Sequence, residues 1–220
     1  GADLFVIRGA SVSAEHISTS HEPLNLKKFI YELDVPVMVG GVAGYTQAKH
    51  LMRTGAAGVL VGFGGGSAMT TRKGLGISAP MATAIADVAA ARSDYLDESG
   101  GRYVHVIADG GLSRSGDLVK ALALGADAVM IGAPLARASE APGQGWYWGN
   151  EAHSVDFPRG VRTPLGVVGT LEEVLYGPSH HVDGTSNIVG ALKRAMATCG
   201  YLDLKKFQKA EMTLVPEYRG

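Results

Sequence analysis

Residues 55–66 read Gly-Ala-Ala-Gly-Val-Leu-Val-Gly-Phe-Gly-Gly-Gly, and this stretch decides the fold. A glycine that ends a helical pattern is followed by an apolar run of strand length and then by a glycine-rich turn. A run that is apolar throughout predicts a strand buried on both faces, as in a parallel sheet. Glycines after the strand let backbone N–H groups approach a bound anion, because no Cβ stands in the way. The stretch therefore predicts a parallel α/β fold with an anion site after this strand.

Related patterns occur along the rest of the chain. Residues 1–7 and 125–131 resemble the first half of this stretch, and residues 35–40 and 104–108 read as two further buried strands. Helical periodicity fills the gaps between these strands. The predicted helices cover residues 26–33, 48–52, 80–92, 115–124 and 187–200. Such alternation of strands and helices predicts an α/β fold.

Two α/β architectures fit this order, a doubly wound sheet and a (β/α)₈ TIM barrel. The barrel is favoured because Asp109-Gly110-Gly111 and Gly132-Ala133-Pro134 directly follow two strands, and barrels place their sites at the C-terminal ends of strands. A phosphate site after strands seven and eight is common in barrels. Counting back from the eighth strand leaves only strands four to eight and the C-terminal helices. We therefore expect residues 1–220 to form a single, partial TIM-barrel catalytic domain.

Composition excludes several classes of protein. The 20 Lys and Arg residues balance 21 Asp and Glu residues, so a nucleic-acid-binding surface is not expected. No apolar run reaches the roughly 18 residues that a membrane helix needs, and no signal peptide is recognised. The single cysteine, Cys199, indicates a reducing cytoplasm. We expect Cys199 to be a small buried hydrophobic residue in the C-terminal helix.

Three segments resemble a known family. They are residues 62–72 (Gly-Phe-Gly-Gly-Gly-Ser-Ala-Met-Thr-Thr-Arg), 107–111 (Ile-Ala-Asp-Gly-Gly) and 130–136 (Met-Ile-Gly-Ala-Pro-Leu-Ala), with Glu-Ala-Pro-Gly at 140–143. In this order they resemble the IMP dehydrogenase and GMP reductase family, and in particular its bacterial IMP dehydrogenase-related branch. The resemblance extends from residue 1 to about residue 208. It implies IMP or GMP as ligand, NAD or NADP as cofactor, K⁺ as a bound cation, and a homo-oligomer, commonly a tetramer.

The resemblance also implies roles for individual residues. Ser67 resembles the serine that contacts phosphate, and Asp109 resembles the aspartate that holds both ribose hydroxyls. A carboxylate at a strand end suits that bidentate acceptor role. The backbone N–H groups that match the donors to the 5′-phosphate belong to Gly110, Gly111, Gly132 and Ala133.

Catalysis, cofactor and cation are also assigned by resemblance. Thr71 matches the threonine that activates water, or takes part in ammonia chemistry, in the second half-reaction. Arg8 stands where dehydrogenases place an aspartate near the nicotinamide ribose. Gly62 and Gly64 join Arg8 as cofactor-binding candidates. The carbonyls of Gly64, Gly66 and Met69 occupy the positions that bind a monovalent cation.

Met69 is the main departure from the family pattern. The family nucleophile is a cysteine immediately before Thr-Thr-Arg that attacks C2 of the purine, and this chain has methionine there. A thioether cannot become a thiolate, so the usual covalent adduct cannot form. Residues 161–170 are too short for the mobile flap and lack its arginine–tyrosine pair, and Pro164 stands about where reductases keep a glutamate. These differences favour a reductase-like enzyme over a full dehydrogenase.

Other interpretations remain open at this stage. One is a regulatory barrel that binds a purine nucleotide without turnover, and another is an unrelated phosphate-binding barrel such as a flavin enzyme. Simpler roles also exist for single residues. Asp109 could be the N-cap of the following helix, Ser67 and the glycines could form only a tight turn, and Met69 could simply pack in the pocket. Trp146 and Trp148 are expected to cover the barrel.

Overall fold

Five parallel strands form one sheet in chain order, as the sequence predicts. The computed structural model describes residues 1–9, 19–68, 71–149 and 162–215, apart from the side chain of Lys73. Every pair of neighbouring strands in the sheet is parallel. The strands are β1 Phe5–Arg8, β2 Val37–Val42, β3 Gly58–Val61, β4 His105–Asp109 and β5 Ala128–Met130.

Helices connect these strands and continue after the last one. An antiparallel hairpin of β6 Trp146–Trp148 and β7 Arg162–Pro164 follows the sheet. The helices are α1 Leu26–Glu32, α2 Tyr45–Arg53, α3 Thr71–Leu75, α4 Met81–Glu98, α5 Ser115–Ala123, α6 Ala133–Ala136, α7 Leu171–Tyr176, α8 Ile188–Thr198 and α9 Leu204–Phe207. Within the described ranges, no helix is both long enough and apolar enough to cross a membrane.

The core lies on the central strands and the helices packed against them. All four residues of β3 are buried, and Val39 and Val106 of the flanking strands are fully inaccessible. The outer strands are different, because Phe5 and Met130 are about 40% exposed. Neither β1 nor β5 has a second neighbouring strand in the described part of the chain, and an unpaired edge leaves its side chains open.

Three features differ from the sequence-based expectations. Cys199 is exposed, so the prediction of a buried cysteine is wrong; it is the C-cap of α8 and lies beyond the part of the helix that packs. Helix α4 ends six residues later than predicted, at Glu98, because Tyr95 in its last turns is buried in the core. Helix α7 was not predicted. Thr170 and Glu173 form a capping box at its start, and this Thr-x-x-Glu pattern in the sequence indicates a helix N-terminus.

Candidate functional site

The C-terminal ends of the parallel strands bring the predicted site residues together. Arg8 ends β1, Asp109 ends β4, and Gly132 follows β5 by two residues. A cavity of about 210 Å³ opens at this edge of the sheet. Its lining includes Arg8, Gly66 and all six residues predicted to bind substrate, which are Ser67, Asp109, Gly110, Gly111, Gly132 and Ala133.

Two glycine turns pack backbone against backbone beside this cavity. Gly62 has φ +140°, and a Cβ there would lie 2.0 Å from the carbonyl oxygen of Asp109. Gly111 has φ +74°, and its Cβ would lie 2.9 Å from the carbonyl oxygen of Gly65. Side chains at these positions would therefore be strained and would clash with backbone. Glycine at both positions allows the close contact that sets the position of Asp109 relative to the first turn.

The carboxyl group of Asp109 is buried and weakly partnered. Its side chain is 10% exposed, and Arg8 Nη2 lies 3.6 Å from Asp109 Oδ2. Burial raises the pKa of Asp109, and the positive charge of Arg8 opposes that rise. Helix α5 begins at Ser115 with Arg114 as its N-cap, so the interpretation of Asp109 as a helix cap is wrong. The carboxylate is held at a strand end, at the wall of a cavity.

The hairpin adds a residue that the sequence analysis did not single out. Tyr147 lines the cavity, and a Cβ on Gly132 would lie 2.7 Å from the Tyr147 hydroxyl. The hairpin also reaches the glycine loop, where Thr163 Oγ1 lies 3.5 Å from the Ser67 carbonyl oxygen. Successive strand residues point to opposite faces. The Trp-Tyr-Trp run of β6 was therefore a signal that Tyr147 points away from the face of Trp146 and Trp148.

The other predicted site residues are not part of the cavity lining or are not described. Met69 lies outside the described residues. Thr71 is buried at the start of α3, and Gly62 and Gly64 do not belong to the cavity lining. A Cβ on Gly64 would lie 2.6 Å from the Ile77 carbonyl oxygen, so this glycine faces the chain segment after α3. Their assigned roles in catalysis, cofactor binding and cation binding stay predictions.

A larger cavity of about 680 Å³ lies elsewhere, but it contains none of the predicted site residues. It is lined by parts of α1 and by residues that precede β3 and β4. Size alone would favour this cavity as the functional site. The smaller cavity is the better candidate because it combines a buried carboxylate with glycine turns, and glycine-rich backbone is a common anion-binding element.

Comparisons with known proteins identify the family of this chain. The model of the IMP dehydrogenase / GMP reductase domain matches residues 1–217. An uncharacterized oxidoreductase of Mycolicibacterium smegmatis is 58% identical over 217 residues, which cover 97% of this chain and 58% of the relative. An inosine-5′-monophosphate dehydrogenase of Methanocaldococcus jannaschii is 30% identical over 243 residues, covering 93% of this chain and 46% of that enzyme.

A solved structure shows the same fold. The crystal structure of an IMP dehydrogenase/GMP reductase-like protein from Corynebacterium glutamicum is 57% identical and superposes with a TM-score of 0.86, covering 96% of this chain and 55% of that chain. This similarity confirms the predicted TIM-barrel type of fold. The chain spans between 46% and 58% of the lengths of these relatives. On the family match and these identities, the chain belongs to the IMP dehydrogenase / GMP reductase family.

Proposed function

We propose that the cavity beside Asp109 binds the purine nucleotide IMP or GMP, as the site of a purine-nucleotide oxidoreductase. The observation that carries this proposal is the buried, weakly partnered carboxyl group of Asp109 beside a cradle of glycine turns. Within the described residues, no hydrogen bond reaches the Asp109 carboxylate. The two hydroxyl groups of a ribose are donors that would satisfy it, and charge-assisted hydrogen bonds of this kind are strong.

The other wall of the cavity suits a phosphate group. Backbone N–H groups of Gly110, Gly111, Gly132 and Ala133 would supply donors to a phosphate. The exposed Ser67 and the hydroxyl of Tyr147 add two side-chain donors at the same cavity. A ribose held by Asp109 and a 5′-phosphate held by these groups together define a nucleoside monophosphate.

Redox chemistry would need a cofactor beside this nucleotide. NAD or NADP, when bound, would supply the hydride donor or acceptor. Arg8 is suited to contact it, because its side chain is 59% exposed at the cavity and its guanidinium can bind a phosphate. We further propose that Gly62 and Gly64 border the cofactor, that the carbonyls of Gly64, Gly66 and Met69 bind K⁺, and that Thr71 activates water.

A thermal-shift titration with IMP, GMP and ribose 5-phosphate tests the nucleotide site. Ligand at roughly 100 times its Kd adds about 2.7 kcal/mol of stability, or roughly 5–10 °C for a domain of this size. We expect this shift with IMP or GMP and its loss in Asp109→Asn. The exposed Asp87→Asn on α4 is the matched control and should keep the shift. An equal shift with all three ligands, or none with any, would contradict a purine nucleotide site.

Substitution of Met69 distinguishes two hypotheses, an enzyme and a barrel that binds nucleotide without turnover. Met69→Cys restores the thiol that the family uses as nucleophile. We expect a weak gain of nucleotide-dependent NAD(P)(H) turnover, because Thr71 and Asp109 are retained. Met69→Ser, which restores no thiol, is the control. If Met69→Cys binds nucleotide but stays inactive, the regulatory barrel is the better function.

Three wider properties belong to the same proposal. We propose that residues 1–220 act as one domain, since the buried residues from Leu26 to Phe207 form one cluster in the described structure. A homo-tetramer and a cytoplasmic location follow from the family resemblance and from the cysteine content. Sedimentation analysis and cell fractionation would test these two properties directly.

A further inference from the structure

An open cavity at the opposite end of the sheet is lined by cationic side chains. We call it the basic groove and define it by Lys27, Lys28, Tyr31, Arg53, Gly55 and Arg102. Its volume is about 680 Å³. Gly55 precedes β3 and Arg102 precedes β4, so the groove lies at the N-terminal ends of these strands. The nucleotide cavity lies at their C-terminal ends.

The charges of the basic groove are only partly neutralised. Its lining contains four cationic residues and no carboxylate. Arg53 is held by two hydrogen bonds to Glu98, at 2.7 and 2.8 Å. Within the described part of the chain, neither Lys27 nor Arg102 has a carboxylate within 4 Å. An anion in the groove would therefore meet two cations that do not already have an acidic partner.

The guanidinium of Arg102 is held in place at the groove. Its Nη2 donates a hydrogen bond to the carbonyl oxygen of Gly55. The Cα of Gly55 also faces Ile30, since a Cβ there would lie 3.4 Å from Ile30 Cγ2. An arginine has five N–H donors, so one bond to backbone leaves donors for a ligand. A guanidinium that is already positioned loses little conformational freedom on binding a phosphate.

An aromatic ring lies beside these cations. Tyr31 is 90% exposed, and it follows Lys27 by four residues and Lys28 by three on helix α1. Side chains at these spacings share one face of a helix. A planar base can stack on an exposed aromatic ring, as bases do in single-stranded nucleic-acid sites.

We propose that the basic groove is a second nucleotide site, and that its ligand is a nucleoside polyphosphate. The polyphosphate lies against Arg102 and Lys27; Lys28 and Arg53 border the groove but are paired with Glu32 and Glu98. The base stacks on Tyr31. This site is independent of the nucleotide cavity at Asp109, so either proposal can fail without the other.

Calorimetric titration with ATP, inorganic tripolyphosphate and adenosine tests the proposal. The titrations use the Asp109→Asn variant as background, which removes binding at the other cavity. We expect ATP to bind more tightly than tripolyphosphate and adenosine to bind not at all, with ATP affinity falling as salt is added. Absence of ATP binding in this background, with binding present when Asp109 is intact, would assign the ligand to the first cavity and overturn the proposal.

Variants of the groove locate the ligand. Lys27→Gln combined with Arg102→Gln should weaken ATP binding at least tenfold. Lys193→Gln combined with Arg194→Gln removes the same two residue types from the exposed face of α8 and should change affinity less than twofold. Equal losses in the two double variants would mean non-specific attraction and overturn the proposal.

Tyr31→Ala distinguishes a nucleotide from a simple polyanion. Because the ring is almost fully exposed, its loss should not disturb folding, which circular dichroism will check. We expect ATP affinity to fall about tenfold and tripolyphosphate affinity to stay unchanged. Unchanged ATP affinity would refute the stacked base.

Discussion

Asp109 and Asp127 are buried aspartates on neighbouring parallel strands, but their surroundings are opposite. Asp109 ends β4 at the smaller cavity, and its carboxylate has Arg8 at 3.6 Å as its nearest charged partner. Asp127 directly precedes β5 at the other end of the sheet, and its side chain is 7% exposed. Its carboxylate accepts hydrogen bonds from the Val106 backbone N–H and from the side chains of Arg92, Tyr103, Lys205 and Gln208.

The pKa values of the two groups follow this difference. Burial raises the pKa of Asp109, and one distant cation does not offset it. Burial would also raise the pKa of Asp127, but hydrogen bonds from Lys205 and Tyr103 bring it well below its usual range. The N-terminal end of the sheet thus satisfies its buried charge within the chain. At the C-terminal end the buried carboxylate of Asp109 has only Arg8 close to it, and we propose that a ligand satisfies it, as the division of barrels into a stability face and a functional face would suggest.

The largest effect is expected at the backbone contact between Gly62 and Asp109, at the C-terminal end of the sheet. Gly62→Ala places a Cβ 2.0 Å from the Asp109 carbonyl oxygen at φ +140°. We expect a loss of about 4 kcal/mol in the free energy of unfolding, or failure to fold. Gly76→Ala is the control, because it has φ +70° but nothing within 4 Å and should cost about 1 kcal/mol. Urea unfolding measures both, and equal losses would contradict the importance of the backbone contact.

A smaller loss is expected at the N-terminal end. Asp127→Asn removes the charge that Arg92 and Lys205 share. Breaking such a buried pair costs about 3 kcal/mol, whereas the exposed Asp87→Asn should cost less than about 0.5 kcal/mol. Urea unfolding near neutral pH measures the difference. Similar values for the two variants would show that the Asp127 cluster contributes nothing beyond an ordinary surface charge.

The pH dependence of this stabilisation has a defined sign. The folded-state pKa of Asp127 is lowered, so its contribution is complete above its unfolded pKa of about 3.9 and is lost as pH falls toward the folded value. The stability difference between the unmodified protein and Asp127→Asn should therefore shrink below about pH 4. A difference that grows in acid would contradict the lowered pKa.

The smallest effect is expected at Asp109 and has the opposite sign. Its pKa is raised in the folded state, so the folded chain holds the proton more tightly and loses stability as pH rises above the unfolded pKa of about 3.9. Asp109→Asn should stabilise the ligand-free protein near neutral pH by about 1 kcal/mol or less. The gain should be absent near pH 3 and should level off above the folded pKa. Thermal unfolding across this pH range measures it, and destabilisation at neutral pH would show that Asp109 is structural.

Much of the fold could be predicted because its signals are local. The apolar runs at residues 57–61 and 104–108 became β3 and β4 within one or two residues. The hairpin of β6 and β7 could not be found this way, because its strands have only three residues each and pair across residues distant in sequence. Tyr147 was missed because its place at the cavity depends on the position of this strand pair, although the Trp-Tyr-Trp alternation shows that it lies on the opposite face from the two tryptophans. Cys199 was assigned as buried because a helical pattern does not tell where packing against α5 and α7 stops.

The parallel α/β order, the glycine turns after the strands and the family resemblance can be predicted from the sequence, since each depends on residues that are neighbours in the chain. Which groups share a cavity and which charges are satisfied depends on how distant segments pack. Asp109 and Asp127 are both aspartates at strand ends, and although the local sequence places Asp109 after a strand and Asp127 before one, it does not show which carboxylate is satisfied within the chain. Their partners come from distant segments, from Arg8 for the first and from residues as far away as Lys205 and Gln208 for the second. Electrostatic energies depend on distance in space and on burial, and both are properties of the folded chain.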